Sequence, residues 1–151
     1  MEAREAMRLS LEALEPRLLL SATVTDAHIL AVISPDAGTL GEANIGDVIK
    51  VTWDNSASGD NNAALVGNVL ADFSQLGGPA SSIMVDDGTD GDASSGDKIY
   101  TATFTVVSGS IDDTHLNVNV TAATATGPGH DADTSNLSVD SIPPKVTDEN
   151  G

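Results

Sequence analysis

Between residues 26 and 140, apolar side chains recur at every second position in short runs, and Gly, Asn, Asp, Ser and Pro separate the runs. A period of two sends alternate side chains to opposite faces of an extended strand, and a helix with its period of 3.6 cannot use it. Ile49, Val51 and Trp53 alternate with Lys50 and Thr52; Val69, Ala71 and Phe73 alternate with Leu70 and Asp72. Tyr100, Ala102, Phe104 and Val106 alternate with threonines, and Leu116, Val118, Val120 and Ala122 alternate with Asn117, Asn119 and Thr121. One face of each run is apolar and the other polar, as where an antiparallel sheet buries one side and wets the other.

Further candidate strands at 28–33, 82–86 and 136–140 bring the expected number to seven. About seven short strands with turn signals between them predict an all-β chain, an immunoglobulin-like two-sheet sandwich preceded by a short N-terminal helical or disordered segment. Hydrophobic residues make up 40% of the chain and aromatic residues 3%, so the core is mainly aliphatic, with Trp53, Phe73, Tyr100 and Phe104 as its aromatic part. These four share the inward parity, which favours packing over stacking on a ligand. The chain has no cysteine, which removes a disulfide scaffold, a thiolate metal site and a cysteine nucleophile.

The acids change type along the chain. The first 17 residues hold four Glu and no Asp, whereas from Asp26 onward there are 17 Asp against two Glu, Glu42 and Glu149. Glu suits helices, while the short Asp side chain bonds nearby backbone N–H groups in turns, so a boundary is expected near Ser21. In the head, Ala3, Met7, Leu11, Leu14 and Leu18 lie on one face of a short helix interrupted around Pro16. Glu2 and Glu5 and the short aliphatic run Leu18–Leu20 do not fit a cleaved secretory signal, and no stretch is long enough to span a membrane. Residues 14–22, Leu-Glu-Pro-Arg-Leu-Leu-Leu-Ser-Ala, resemble the LEPR-XLL segment that opens very large bacterial surface and secreted proteins. That resemblance implies export to the cell surface or the medium.

A second resemblance covers most of residues 23–147. Ile45-Gly46-Asp47, Val51-Thr52-Trp53-Asp54-Asn55, Ala71-Asp72-Phe73-Ser74-Gln75-Leu76-Gly77-Gly78 and the closing Val139-Asp140-Ser141-Ile142-Pro143-Pro144 are similar to the tandem bacterial Ig-like repeats of giant adhesins. Val24-Thr25-Asp26 recurs as Val146-Thr147-Asp148, 122 residues on and just after the proline pair. The expected organisation is therefore a LEPR-XLL-type segment at 1–21, an Ig-like domain at 22–141, and a Pro-Pro linker with the start of a following repeat at 142–151. Pro144 and Pro143 each force the preceding residue into extended conformation, which makes a semi-rigid joint.

The densest acidic run is 86–97, Asp-Asp-Gly-Thr-Asp-Gly-Asp-Ala-Ser-Ser-Gly-Asp. Asp86, Asp87, Asp90, Asp92 and Asp97 repel one another unless a hard cation that takes six to eight oxygens sits among them, and calcium is the natural candidate. The spacing departs from an EF-hand: Gly88 stands where the third ligand would be and the final glutamate is missing. A solvated acidic hairpin without an ion is the competing reading. Asp26, Asp140, Asp148 and Glu149 form a second acidic set at the expected domain ends, and Asp54–Asn62 reads as ordinary turn chemistry.

Catalytic patterns are thin. His28, His115 and His130 fall in separate segments, and no serine sits in a Gly-x-Ser-x-Gly elbow. A net charge of −17 with no basic stripe excludes nucleic acid and anionic lipid as partners, and no membrane insertion is expected. The function expected from residues and resemblance together is a non-enzymatic Ig-like spacer of a large exported bacterial adhesin, secreted or on the cell surface and stiffened by calcium. Its partners would be neighbouring Ig-like repeats and a surface ligand that the sequence does not name. The alternative is a carbohydrate- or protein-binding accessory domain of a secreted hydrolase, which would need an exposed aromatic platform.

Overall fold

A computed structural model describes residues 21–34 and 41–146 of the chain. The helix expected in the head lies outside the described residues. The strands are β1 (Ile29–Ser34), β2 (Glu42–Asn44), β3 (Val48–Asp54), β4 (Val69–Asp72), β5 (Ser82–Met84), β6 (Ile99–Thr105), β7 (Asp112–Leu116), β8 (Asn119–Thr124), β9 (Gly127–Ala132) and β10 (Leu137–Asp140). They form three sheets, ordered β1-β3-β6, β2-β10-β7 and β5-β4-β8-β9. The protein is an all-β sandwich of immunoglobulin-like type.

The second and third sheets are two halves of one layer. β7 and β8 follow each other along one course, as do β9 and β10, and the two courses run antiparallel, β7 against β10 and β8 against β9. At the break between the halves, the Asp133 N–H donates to the Val118 carbonyl and the Val118 N–H donates to the Asp133 carboxylate. A fully buried carboxylate thus replaces the missing ladder bond, and it also accepts the Ser135 N–H. β2 joins this layer by parallel pairing with β10. On the other side, Val85 leaves the β4 edge and exchanges two 2.8 Å backbone bonds with Thr101 of β6, which links the layers.

Between the layers, alternation does what the sequence pattern requires. Ile49, Val51 and Trp53 are fully buried from β3, and Ala71, Val118, Val120 and Val139 face them from the other layer. Trp53 packs on Tyr100 with centroids 5.7 Å apart, and Phe73 on Phe104 at 5.6 Å, both tilted by 33°. Outward parity fails at Thr101, which is buried because Val85 and the segment after it lie over that part of β6.

Three strands were not expected from sequence. β2 is only three residues long, β7 carries Asp112, Asp113, Thr114 and His115 outward, and β9 begins Gly-Pro-Gly. Pro128 is tolerated because β9 is an edge strand and needs no second ladder donor. Gly129 lets the chain's opening segment lie flat on that edge: a Cβ there would stand 1.9 Å from the Ala22 carbonyl oxygen. The Ala22 N–H donates to the Gly127 carbonyl at 3.0 Å, and Ala22 and Val24 are buried. The core thus begins beside β9. It closes at Ser141, which is buried and bonded to Gly109 and Ile111, while Ile142 is exposed.

Candidate metal centre

The acidic run 86–97 connects β5 to β6. The Val85–Thr101 pair delivers Asp86 to the outer side of β6, and the Asn55 N–H closes the far end on the Lys98 carbonyl at 2.9 Å. Halfway round, Gly91 lies on the outer face of the β3–β6 pair, where a Cβ would be 3.0 Å from Thr103 Cγ2. Lys50 Nζ donates to the Gly91 carbonyl at 2.6 Å and holds the loop down.

Glycines make the necessary reversals. Gly88, Gly91 and Gly96 have positive φ, as does Asp90 at 49°, and the loop folds back so that its two ends meet. The Asp86 carboxylate is the hub of that closure: Oδ1 accepts the Gly96 and Asp97 N–H groups at 2.8 and 3.1 Å, and Oδ2 accepts the Lys98 N–H at 3.1 Å. Asp92 Oδ2 accepts the Gly88 N–H at 2.7 Å, and Asp97 Oδ1 accepts the Ile99 N–H at 2.9 Å.

Of the five expected ligands, the fold gathers three. One carboxylate oxygen from each of Asp86, Asp92 and Asp97 lies within 4.8 Å of the others. Oxygens bound to one calcium at about 2.3–2.6 Å lie at most about 5 Å apart, so the spacing fits that ion. Asp92 is 8% exposed, which makes it the innermost member. The carboxylates' N–H partners leave further lone pairs on the oxygens, and the trio has no salt bridge among the described residues. Asp87 and Asp90 stand outside the group. Asp87 is taken up locally, its Oδ1 accepting the Thr89 hydroxyl at 2.5 Å and the Thr89 N–H at 2.9 Å. The Thr89 hydroxyl bond, then the backbone bond, hold the Asp87 carboxyl below its usual range.

Of the second acidic set, the two described members stand apart. The Asp26 N–H bonds Asp131 of β9, whereas Asp140 lies nine residues further along the same course, in β10. Asp148 and Glu149 lie outside the described residues.

One carboxylate that the sequence reading treated as turn chemistry has a larger role. The Asp60 side chain is 2% exposed and accepts from the Thr25 N–H at 2.9 Å, the Thr25 hydroxyl at 2.6 Å and Trp53 Nε1 at 2.7 Å. It also pairs with His28 Nδ1 at 2.9 Å, the one salt bridge among the described residues. Next to it, Asn62 Oδ1 accepts the Thr23 N–H and its amide donates to the Thr23 carbonyl, both at 2.7 Å. The 54–62 turn is therefore a clasp that binds the opening segment to β3. Nothing local marks it in sequence, because Thr25 lies 35 residues from Asp60.

The chain matches no protein-family model, no curated protein and no solved structure. Among the described residues no helix is long and apolar enough to cross a membrane.

Proposed function

We propose that this protein is a non-enzymatic spacer, an Ig-like module of a large exported adhesin, that works by joining end to end with like modules. The observation that carries the reading is the placement of the two ends of the core. The opening segment packs beside Gly127 at the start of β9, and the core closes at Ser141 just past β10. These positions are the two ends of one antiparallel course, so the chain enters at one pole and leaves at the other. Modules built that way extend a string without folding back.

The joint supports the same reading. Ile45, Asp140, Ile142 and Pro144 line a shallow hollow at the exit pole, with Ile45 43% and Ile142 45% exposed. Val146 is 94% exposed, while Val24, its counterpart in the repeated Val-Thr-Asp, is 8% exposed. A following copy in the same register would bury Val146 as Val24 is buried here. The inward aromatic rings, with Trp53 and Phe73 fully buried, leave no stacking platform of the kind a carbohydrate-binding accessory domain uses.

A chain in which residues 145–151 are replaced by a second copy of residues 23–151 tests the reading by small-angle X-ray scattering. The expected result is a rod about twice as long as the single module; a maximum dimension close to that of one module contradicts an end-to-end spacer.

Calcium belongs to this proposal as the ion that rigidifies the 86–97 loop through Asp86, Asp92 and Asp97. A loose extracellular-type site with Kd of about 10⁻⁴–10⁻³ M, measured near 10 mM calcium, stabilises by roughly 1–3 kcal/mol. At this domain size that is a rise in Tm of about 4–10 °C over the value in chelator. Magnesium at equal concentration should give little of it, and Asp92→Asn should abolish it. An equal rise with magnesium, or none with calcium, contradicts the site.

A further inference from the structure

Aspartate is followed by glycine at two places only, Asp87–Gly88 and Asp90–Gly91, and both lie in the acidic loop. Such pairs carry a reaction of their own. With no side chain to obstruct it, the glycine nitrogen can reach Cγ of the preceding carboxyl group; the new N–C bond expels water and closes a five-membered succinimide. Water then opens the ring at either carbonyl and restores aspartate or leaves isoaspartate, in which the main chain runs through Cβ. One water leaves and one returns, so mass and net charge are unchanged and no co-reactant is needed.

The fold treats the two pairs differently. At Asp87–Gly88 both reacting groups are occupied: the Gly88 N–H donates to Asp92 Oδ2 at 2.7 Å, and the Asp87 carboxylate holds the Thr89 hydroxyl and N–H. At Asp90–Gly91 both residues are exposed, and no hydrogen bond engages the Asp90 carboxylate or the Gly91 nitrogen. Asp90 also sits at φ 49°, in the left-handed region that a non-glycine residue occupies at a cost, so it loses less on rearrangement.

We propose that Asp90–Gly91 is a site of spontaneous isoaspartate formation and that Asp87–Gly88 is protected from it. Its consequence follows from the loop's anchorage. The extra main-chain atom between residues 90 and 91 displaces Gly91, whose carbonyl accepts Lys50 Nζ and whose Cα lies close on Thr103. The loop then detaches from the outer face of β3 and β6, and the module acquires a chemical clock that accumulates with age.

The test is to incubate the full chain at neutral pH and physiological temperature in chelator, digest it, and locate isoaspartate by electron-transfer fragmentation. Isoaspartate at position 90 in several-fold excess over position 87 is the expected result. Asp90→Glu should remove that signal, because glutamate must close a slower six-membered ring. Asp92→Ala should release the Gly88 nitrogen and raise the product at position 87. Equal amounts at both positions, an excess at 87, or no isoaspartate at 90 overturns the proposal, as does an Asp92→Ala chain in which position 87 stays inert.

Discussion

Asp60→Ala lowers stability by about 3–5 kcal/mol, because it removes at one stroke the acceptor shared by several buried donors and by His28 Nδ1. Left behind are the Trp53 indole N–H and the Thr25 N–H, neither of which has another partner in the clasp, while the Thr25 hydroxyl keeps only His28 Nδ1 at 3.0 Å. For a domain of about 120 residues the loss corresponds to roughly 10–20 °C in Tm. Hydrogen exchange should show residues 22–28 opening first, since Asp60 and Asn62 hold that segment to the turn. A shift of less than about 1 kcal/mol, the range of an exposed ion pair, would contradict the clasp. The same carboxylate sets part of the acid limb. Burial pushes the Asp60 carboxyl up, but hydrogen bonds from Thr25, Trp53 and His28 together outweigh it, and the group titrates below its ordinary 3.8. A folded pKa below the unfolded one gives stability that is present above the unfolded value and lost as pH falls through the folded one. The wild type should therefore lose this contribution below about pH 4, and Asp60→Asn should flatten that part of the profile.

Trp53→Ala is expected to cost about 4–5 kcal/mol, the upper half of the range for aromatic truncations in a core. Trp53 is fully buried between the layers, stacks on Tyr100, and spends its only polar atom on Asp60. Two losses are therefore combined, the packing of a large ring and one donor to a buried carboxylate. Trp53→Phe separates them: it keeps most of the contact area, lacks the N–H, and should cost about 1–3 kcal/mol. Because Trp53 and Asp60 touch, the double mutant Trp53→Phe with Asp60→Ala should fall short of the summed single losses by at least about 0.5 kcal/mol. Additive losses would mean that the indole and the carboxylate are not energetically coupled.

What the sequence made legible was whatever burial writes into a short window. The alternation of Ile49, Val51 and Trp53, or of Val118, Val120 and Ala122, is a direct imprint of a half-buried strand, and these side chains lie at the core as expected. β9 left no such imprint because its edge position admits Gly-Pro-Gly, residues that otherwise signal a turn. β7 was hidden for a related reason: four outward polar side chains cover a strand that buries only Leu116. The acidic loop was visible as composition, but which carboxylates converge depends on where glycines turn the backbone. Asp87 and Asp90 looked equivalent to Asp92 until Thr89 and the left-handed Asp90 turned them elsewhere. Asp60 was the least legible of all, since its role comes from a partner 35 residues away that only tertiary folding supplies.

The proposed spacer requires a chain that enters and leaves the sandwich at opposite poles. Ser21 packs beside Gly127, and Ser110 lies between Gly109 and Ile111, which both bond Ser141, so these two serines mark the poles. The absence of native cysteine allows clean labelling of Ser21→Cys with Ser110→Cys, and a pulsed electron-resonance distance between the two labels is the direct measurement. The strand course from residue 127 to 141 spans 141 − 127 = 14 steps, for which about 3.3 Å per residue gives roughly 35–45 Å once the break at Asp133 is allowed for. A single distance in that range is the result predicted. A distance under about 25 Å, fewer than eight residues of strand, would put both ends on one side and contradict the spacer.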